Sequence, residues 1–262
     1  MKNGFTDEEI HVTEYIETEH IGDAFNQMMG RMKVLDDSRQ EFVSNVSHEL
    51  KTPLTSISGY AEIMKSGMVN REDMIVFSER IYKEASRMIA LIDDIIKLSK
   101  LDEDSVEVER QDVDLYALCE DIVERLTMSA RKRDVHVELD GEPVVYYGVK
   151  QMLDEMIFNL CENAIKYNVP DGKVMLWVGN TPEGVKIIVQ DTGIGIPEES
   201  MDHIYERFYR VDKSHSREIG GTGLGLAITR NAILMHKGAI KAHSELGEGT
   251  TFDVRVPLNY IV

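Results

Sequence analysis

One candidate nucleophile is a histidine that the helical pattern turns away from the apolar side of its helix. His48 lies two positions from both Val46 and Leu50, and at about 100° per residue it is therefore about 160° from each of them. An imidazole can attack an electrophile when a base accepts its N–H proton, and Glu49 is adjacent. We predict that His48 faces solvent. The alternative is an ordinary histidine, and the predicted exposure excludes only a core position.

A proline lies in the same helical pattern shortly after His48. Pro53 has no N–H to donate, and its ring clashes with the carbonyl of Glu49, at a cost of about 3 kcal/mol in a helix interior. We therefore predict a kink just after His48, which is easier to understand if the bend serves a motion or a docking step. Thr52 could position a water molecule near the imidazole.

A second polar group is predicted on a helix at residues 151–167. Asn159 and Asn163 are four positions apart on one helical face, and Lys166 and Tyr167 follow about one turn later. Carboxamide oxygens suit Mg²⁺, and a lysine suits phosphates. Seen alone, this pattern is more typical of a solvated helix face that happens to carry two asparagines, and the motifs that follow are what favour a ligand site.

Two glycine-rich segments lie farther along the chain. The first runs from Asp191 through Gly193 and Gly195 after a predicted strand, and the second, residues 220–225, precedes a predicted helix. Glycines let the backbone approach phosphates, and N–H groups at a helix start attract anions. A polar segment, residues 206–210, lies between them. The spacing is not that of the Rossmann fingerprint, so these motifs indicate another kind of phosphate-binding site.

The histidine belongs to a long helical pattern, residues 14–101, with a polar break near residues 66–71. We predict a helical hairpin with one apolar stripe on each arm. The stripe residues are Phe42, Val46, Leu50, Leu54, Ile57, Ala61 and Met64, then Phe77, Ile81, Ala85, Met88, Ile92 and Ile95. A lone hairpin would leave much of this surface exposed, so we predict a homodimer that forms a four-helix bundle.

The remainder of the chain mixes helical and strand patterns. Helices are predicted at residues 115–131 and 151–167, and strands at residues 135–139, 144–147, 174–178, 185–189, 239–243 and 251–256. This order predicts an α+β chain in which the hairpin is followed by an α/β sandwich, with one sheet covered by helices on one side. The predicted domains are residues 1–36, 37–103 and 112–262, with a linker at 104–111 inside an acidic, solvated run at 101–114.

Composition excludes several classes of function. The chain of 262 residues has 29 Lys and Arg against 47 Asp and Glu, a formal charge of −18, so we expect no nucleic-acid partner. Cys119 and Cys161 lack the spacing of a zinc or disulfide framework. No apolar run approaches the roughly 20 residues of a membrane span, so we expect the chain as given to be soluble.

The segment SHELKTPL, residues 47–54, resembles the H box of the HisKA domains of sensor histidine kinases. This resemblance implies that His48 is the phospho-acceptor, that Glu49 is its general base and that an aspartate of a response-regulator receiver domain then takes the phosphoryl group. The pattern from Glu49 to Thr52 resembles the arrangement with which this family dephosphorylates its partner. A phosphatase activity is therefore implied as well.

The asparagine helix, the two glycine segments and the polar segment resemble the N, first glycine, second glycine and F boxes of the ATP-binding fold shared by histidine kinases, gyrase, the Hsp90 chaperones and MutL. The match spans most of residues 112–262 and implies ATP and Mg²⁺ as ligands. By that resemblance Asp191 receives the adenine amino group, Asn159 and Asn163 hold Mg²⁺, and Lys166 and Tyr167 touch the phosphates. The other implied nucleotide-site residues are Gly193, Gly195, Arg207, Phe208, Arg210, Gly221, Thr222, Gly223, Leu224, Gly225 and Thr250. Phe208 would anchor a mobile lid, and either Arg207 or Arg210 would meet the γ-phosphate.

One position separates the activities of this fold. The ATP-hydrolysing members place a glutamate four residues before the metal-binding asparagine, and here Asn159 stands there, which cannot act as a base. The resemblance therefore favours phosphoryl transfer to His48. Two alternatives stay open: an ATPase or chaperone-like conformational machine, against which Asn159 counts, and a non-catalytic dimeric scaffold, against which the intact polar residues count.

Residues 21–29, which lead into the helix of His48, resemble the second helix of a HAMP linker. The first HAMP helix and a preceding membrane span are missing from the sequence. The resemblance implies the cytoplasmic portion of a cell-membrane receptor, connected to the membrane only through N-terminal segments that the sequence lacks. The alternative is simply more coiled-coil helix.

Overall fold

A computed structural model of the chain describes residues 16–67, 69–102, 109–211 and 221–258. The chain divides into two compact units, Met1–Ala85 and Ser86–Val262. The predicted N-terminal domain, residues 1–36, lies partly outside the described residues, and so does most of the predicted linker at 104–111. The predicted domain boundaries stay predictions.

The first unit is formed by helix α1, Ile16–Lys65, and by the beginning of helix α2, Arg71–Asp102. The side chain of Asn70 accepts a hydrogen bond from the backbone N–H of Asp73 at 2.8 Å and so caps the start of α2. Across the hairpin, Arg80 donates to the Tyr60 hydroxyl at 2.8 Å, and the rings of Tyr60 and Phe77 are 5.3 Å apart. The predicted hairpin is therefore confirmed.

Most residues of the two predicted stripes are half-buried, whereas Leu54, Ala61 and Ile92 are exposed. Helix α1 continues without a break through Pro53, whose side chain is buried. The helix thus accommodates Pro53 although this residue has no N–H to donate. The kink after His48 stays a prediction.

The second unit contains a sheet of five strands in the order β2-β4-β5-β7-β6. Its strands are β2 Val135–Gly141, β4 Gly172–Thr181, β5 Gly184–Asp191, β6 Ala239–Glu245 and β7 Gly249–Val256. β2 pairs with β4 in parallel, and the other pairs are antiparallel. The register Thr181 opposite Gly184 closes the predicted hairpin between β4 and β5.

Three helices contact this sheet: α3 Leu115–Lys132, α4 Lys150–Lys166 and α5 Gly225–Met235. Burial alternates along β4, β5 and β7, as expected when one face of a sheet packs on helices and the other meets solvent. The core includes Leu153, Ile157 and Leu160 of α4 with Leu176 and Ile187 of the sheet. The predicted α/β sandwich is confirmed.

The sequence prediction was wrong in one part of this unit. Strand β1, Gln111–Asp114, pairs with β3, Val145–Gly148, in a separate two-stranded antiparallel sheet. The end of the acidic run is therefore structured, because Val113 is buried between its charged neighbours. Asp114 also caps α3 by accepting the N–H of Ala117 at 3.1 Å. Its charge therefore stabilises the start of a helix, whereas the sequence analysis placed this residue in a solvated connector.

Both cysteines are buried, and burial raises the pKa of the Cys119 thiol to about 12. They behave as apolar core residues. Within the described ranges, none of the helices has the length and apolarity that a membrane crossing requires.

Candidate nucleotide site and phospho-acceptor helix

Helix α4 directs its apolar residues into the core and leaves a half-buried polar side. Asn159, Asn163 and Lys166 follow each other at steps of four and three on that side. The Asn159 amide donates to the carbonyl of Gly225 at 3.4 Å, so this side of α4 faces the start of α5. A side chain at Gly221 would collide with the Lys166 ammonium group. The predicted N box and second glycine segment therefore meet in space.

The ammonium group of Lys166 lies in a cationic environment. Burial is the largest cause that lowers its pKa, to about 8, and the charges of Arg210, Arg133 and Arg87 lower it further, while Glu162 opposes them. The ammonium also lies 5.3 Å from the centre of the Tyr167 ring. Positive charge gathered without an equal number of carboxylates suits an anionic ligand such as a phosphate chain. Arg210, one of the two predicted arginines, therefore acts electrostatically on Lys166.

Asp191 ends β5 and is almost completely buried. Its Oδ1 accepts the N–H of Gly193 at 2.8 Å and the N–H of Thr250 at 3.2 Å. Burial raises the pKa of this carboxyl, and the two hydrogen bonds act in the opposite direction. The structure thus brings together Asp191, the first glycine segment and Thr250, as the sequence predicted.

Two residues that the sequence analysis missed hold this end of the site. The Ser244 hydroxyl donates to the carbonyl of Gly249 at 2.8 Å, accepts the N–H of Ile196 at 2.8 Å and lies 2.9 Å from the Thr250 hydroxyl. Asn168 donates to the carbonyls of Ala164 and Lys173, both at 3.0 Å. Asn168 follows the predicted N box directly and could have been found there, whereas no local pattern marks Ser244.

The predicted F box is attached to the second glycine segment. Phe208 has a positive φ of 65°, and its N–H donates to the carbonyl of Gly223 at 2.9 Å. Gly223 also has a positive φ, 73°, and a side chain there would press on the Phe208 backbone. Phe208 is the strained position of the two, because it carries a side chain, and its contact with Gly223 holds it there. Residues 212–220, where the predicted lid would lie, are outside the described residues.

Thr222 connects this loop to helix α2. Its hydroxyl accepts the N–H of Leu224 at 3.2 Å and donates to the Asp94 carboxylate at 2.6 Å. Asp94 was not among the predicted site residues, because nothing in its local sequence distinguishes it from Asp93.

The predicted phospho-acceptor group lies in the other unit, on α1. His48 is exposed, as predicted, and Glu49 beside it is half-buried. The Thr52 hydroxyl donates to the carbonyl of His48 at 3.2 Å, and Thr52 is itself exposed. The imidazole can therefore be reached by a substrate from solvent.

Comparison with known proteins agrees with both parts of the site. Residues 38–104 match the model of the His Kinase A (phospho-acceptor) domain, and residues 148–260 match the model of the histidine kinase-, DNA gyrase B- and HSP90-like ATPase. The first match includes His48, and the second includes the polar side of α4 and both glycine segments.

A similar curated protein is the sensor protein kinase WalK of Staphylococcus aureus, 36% identical over 230 residues, which are 87% of this chain and 55% of that protein. In several strains the same kinase is matched over only 38% of its length. The chain thus spans about half or less of these relatives.

Among solved structures, Acinetobacter baumannii histidine kinase AdeS is similar with a TM-score of 0.68 and 22% identity, covering 81% of this chain and 98% of that one. Histidine kinase ThkA, in complex with response regulator protein TrrA, is similar with a TM-score of 0.68 and 24% identity, covering 88% of this chain and 64% of that one. These two likenesses support the fold. The two domain matches and the similarity to WalK show that this chain belongs to the sensor histidine kinase family.

Proposed function

We propose that this chain is an ATP-dependent protein-histidine kinase that phosphorylates His48. The observation that carries the proposal is the joining of two separately predicted motifs, in which Asn159 contacts Gly225 and Gly221 lies against Lys166. These contacts bring polar and cationic groups together beside a helix start, an arrangement that suits a nucleotide. An exposed imidazole with an adjacent carboxylate supplies an acceptor.

The adenine end of the nucleotide is assigned to Asp191. Because both backbone hydrogen bonds end on Oδ1, we assign Oδ2 to the adenine amino group. At the other end, Lys166 and Arg210 supply positive charge for the phosphates. Tyr167 borders the same end through its contact with Lys166.

The polar side of α4 also fits a magnesium ion. Because the Asn159 amide nitrogen is bonded to Gly225, its carbonyl oxygen can serve as a ligand, together with that of Asn163. Across the described ranges there is no cluster of three or more His, Cys, Asp or Glu that could hold a metal, so these carboxamides would act with phosphate oxygens. When bound, Mg²⁺ would neutralise charge on the phosphates.

The proposed transfer uses His48 as the nucleophile, Glu49 as the base and ATP, with its Mg²⁺, as the phosphoryl donor. A ring nitrogen of His48 forms a bond to the γ-phosphorus, the bond from that phosphorus to the bridging oxygen breaks, and ADP leaves with the electron pair. Glu49 takes the ring proton. Asn159 stands where hydrolysing relatives carry a general base, so attack by water is disfavoured.

Incubation with γ-labelled ATP and Mg²⁺ tests this proposal. The wild type should take up label that is labile in acid and stable in alkali, and His48→Gln should take up none. If neither protein is labelled while ATP is hydrolysed, the ATPase alternative replaces the kinase. If neither binds nucleotide, the scaffold alternative replaces it.

We further propose that the phosphoryl group passes from His48 to an aspartate of a response-regulator receiver domain. ThkA, of the same fold, is seen in complex with a response regulator, and the exposure of His48 would permit such docking. The proposal extends to a homodimer and to a membrane-attached parent protein, whose cytoplasmic portion this chain would form. The membrane part rests on the HAMP-like segment and the similarity to WalK.

The exposed Thr52 hydroxyl supports an additional phosphatase activity toward that partner. Thr52→Ala should lose dephosphorylation of the receiver domain and keep autophosphorylation. Thr52→Ser, which retains the hydroxyl, should keep both activities. Equal phosphatase rates in Thr52→Ala and wild type would contradict the role of this hydroxyl.

A further inference from the structure

A carboxylate from helix α2 contacts the loop that precedes α5. The Thr222 hydroxyl donates to Oδ2 of Asp94 at 2.6 Å, and both residues belong to the same compact unit. A hydroxyl-to-carboxylate bond of this length is a strong one. Thr222 lies in the second glycine segment, which the proposed function places beside Lys166 and the phosphates.

A second polar contact attaches the same part of α2 to α4. The Lys97 ammonium lies 2.5 Å from the Glu155 carboxylate and 3.9 Å from that of Asp94. Glu155 is one turn before Asn159 on α4. Asp94 therefore belongs to a chain of charges that runs between α2 and the polar side of α4.

Burial shows that this side of α2 is packed. Leu91 and Leu98 lie three positions before and four positions after Asp94, so all three share one side of the helix. Both leucines are buried, at 4% and 0% exposure, and the Asp94 side chain is 22% exposed. The neighbouring Asp93 is exposed. The buried side chains of Leu91 and Leu98, before and after Asp94, therefore fix the position of Asp94 against the rest of the unit.

The chemistry of this contact opposes a nucleotide. Backbone N–H groups at the start of α5 favour a negative charge, and the Asp94 carboxylate now supplies one beside them. The hydroxyl of Thr222 is occupied by its bond to Asp94, and the N–H of Leu224 is occupied by Thr222. A phosphate arriving here would meet a like charge and two donors already in use.

We propose that Asp94 is an anionic latch, which holds Thr222 and competes with the phosphates of a nucleotide for the loop before α5. The latch rests on the proposed function. Because coupling between two binding events is reciprocal, nucleotide binding would also weaken the hold of α2 on this loop. Nucleotide binding and the release of Asp94 from Thr222 are then thermodynamically coupled.

The test compares Asp94→Asn with Asp93→Asn, which removes the same charge one residue away on the exposed side. Asparagine can still accept the Thr222 hydrogen bond, so the first variant removes mainly the charge. Dissociation constants for the non-hydrolysable analogue AMP-PNP with Mg²⁺, and for adenosine, are measured by calorimetry on the full chain. Thermal melting without nucleotide verifies that both variants are folded.

Asp94→Asn should bind AMP-PNP about fivefold more tightly or better, with its affinity for adenosine unchanged. Asp93→Asn should match the wild type for both ligands. Equal AMP-PNP affinity in the two variants, or weaker binding by Asp94→Asn, would overturn the latch while leaving the proposed function intact. A folded wild type that binds neither ligand would overturn the proposed function, and the latch with it.

Discussion

At the scale of single residues, the hydrogen bonds that a polar side chain makes within the protein decide which of its atoms can still bind a ligand. Asp191 is buried, yet its two backbone hydrogen bonds converge on one oxygen. Neither bond uses Oδ2, so this oxygen could accept a hydrogen bond from a donor on the ligand, and a bond to the charged carboxylate would stabilise the complex. Adenine carries such a donor in its amino group.

Asp191→Asn tests this assignment with little change of shape. The amide oxygen can take the place of Oδ1 and keep the bonds to Gly193 and Thr250, while the NH₂ group would face the adenine amino group as donor against donor. We expect adenosine and AMP-PNP each to bind about tenfold more weakly or worse. Calorimetry measures both, and unchanged affinity would show that Asp191 does not contact the base.

Lys166 predicts a pH dependence of phosphate binding. Its lowered pKa, about 8, means that the free protein carries this charge at pH 7 and loses most of it by about pH 9. AMP-PNP should therefore bind up to about tenfold more weakly at pH 9 than at pH 7. Adenosine, which has no phosphates, should show no such change.

Lys166→Arg provides the control, because a guanidinium remains charged throughout this range. Its AMP-PNP affinity should be nearly constant between pH 7 and pH 9. A variant that shows the same decline as the wild type would mean that another group is responsible.

At the scale of elements, the α5 helix is joined to the segment before α4 by a buried histidine. His236, just after α5, accepts the N–H of Val149 on its Nε2 at 3.1 Å, and its Nδ1 lies 2.7 Å from the carbonyl of Ala232. Burial lowers the pKa of His236, and the charge of Arg110 adds to this, while the bond to Ala232 opposes it. A protonated ring could no longer accept the N–H of Val149.

Acidification should therefore destabilise this unit. Because the folded pKa is below the unfolded value of about 6.5, the unfolded state binds the proton first, and stability is lost as the pH falls below that value. Urea unfolding followed by the fluorescence of Trp177, the one tryptophan of the chain, reports on this unit. The loss between pH 7.5 and 5.5 should shrink in His236→Gln and persist in the exposed control His243→Gln. An identical loss in both variants would exclude His236 as the cause.

At the scale of the whole molecule, the helical hairpin has more apolar surface than one chain covers. Ile21, Val34 and Leu35 on α1 are each about 70% exposed, and Tyr82 on α2 is 74% exposed. Ile92, from the predicted stripe, is 43% exposed. Exposed apolar surface of this extent along two helices is typical of an association surface.

The chain should therefore run as a dimer, with roughly twice its mass of 29.8 kDa by light scattering at micromolar concentration. Ile92→Glu should shift the equilibrium toward monomer, because it places a charge in the stripe. Leu246→Glu, at a position 65% exposed in the turn between β6 and β7, should leave the dimer unchanged. A wild-type monomer mass would exclude the four-helix bundle.

What the sequence determined by itself is local and periodic. The hairpin followed from apolar residues at helical steps, and the exposure of His48 followed from its angle to Val46 and Leu50. The polar side of α4 and the glycines that flank the site could be located in the same way, because helix periodicity and positive φ are properties of neighbouring residues. These features are enough to place the chain in its family and to predict its ligand.

What only the tertiary structure decided depends on residues far apart in the chain. Strand β1 has an acidic, linker-like sequence and pairs with β3 only because Val113 is buried there. Ser244 bridges the first glycine segment and Thr250, and Asp94 reaches Thr222 across 128 positions. The lowered pKa of Lys166 likewise results from burial and from charges on other elements. No local pattern encodes such contacts, because they form only when the packed core brings separate elements together.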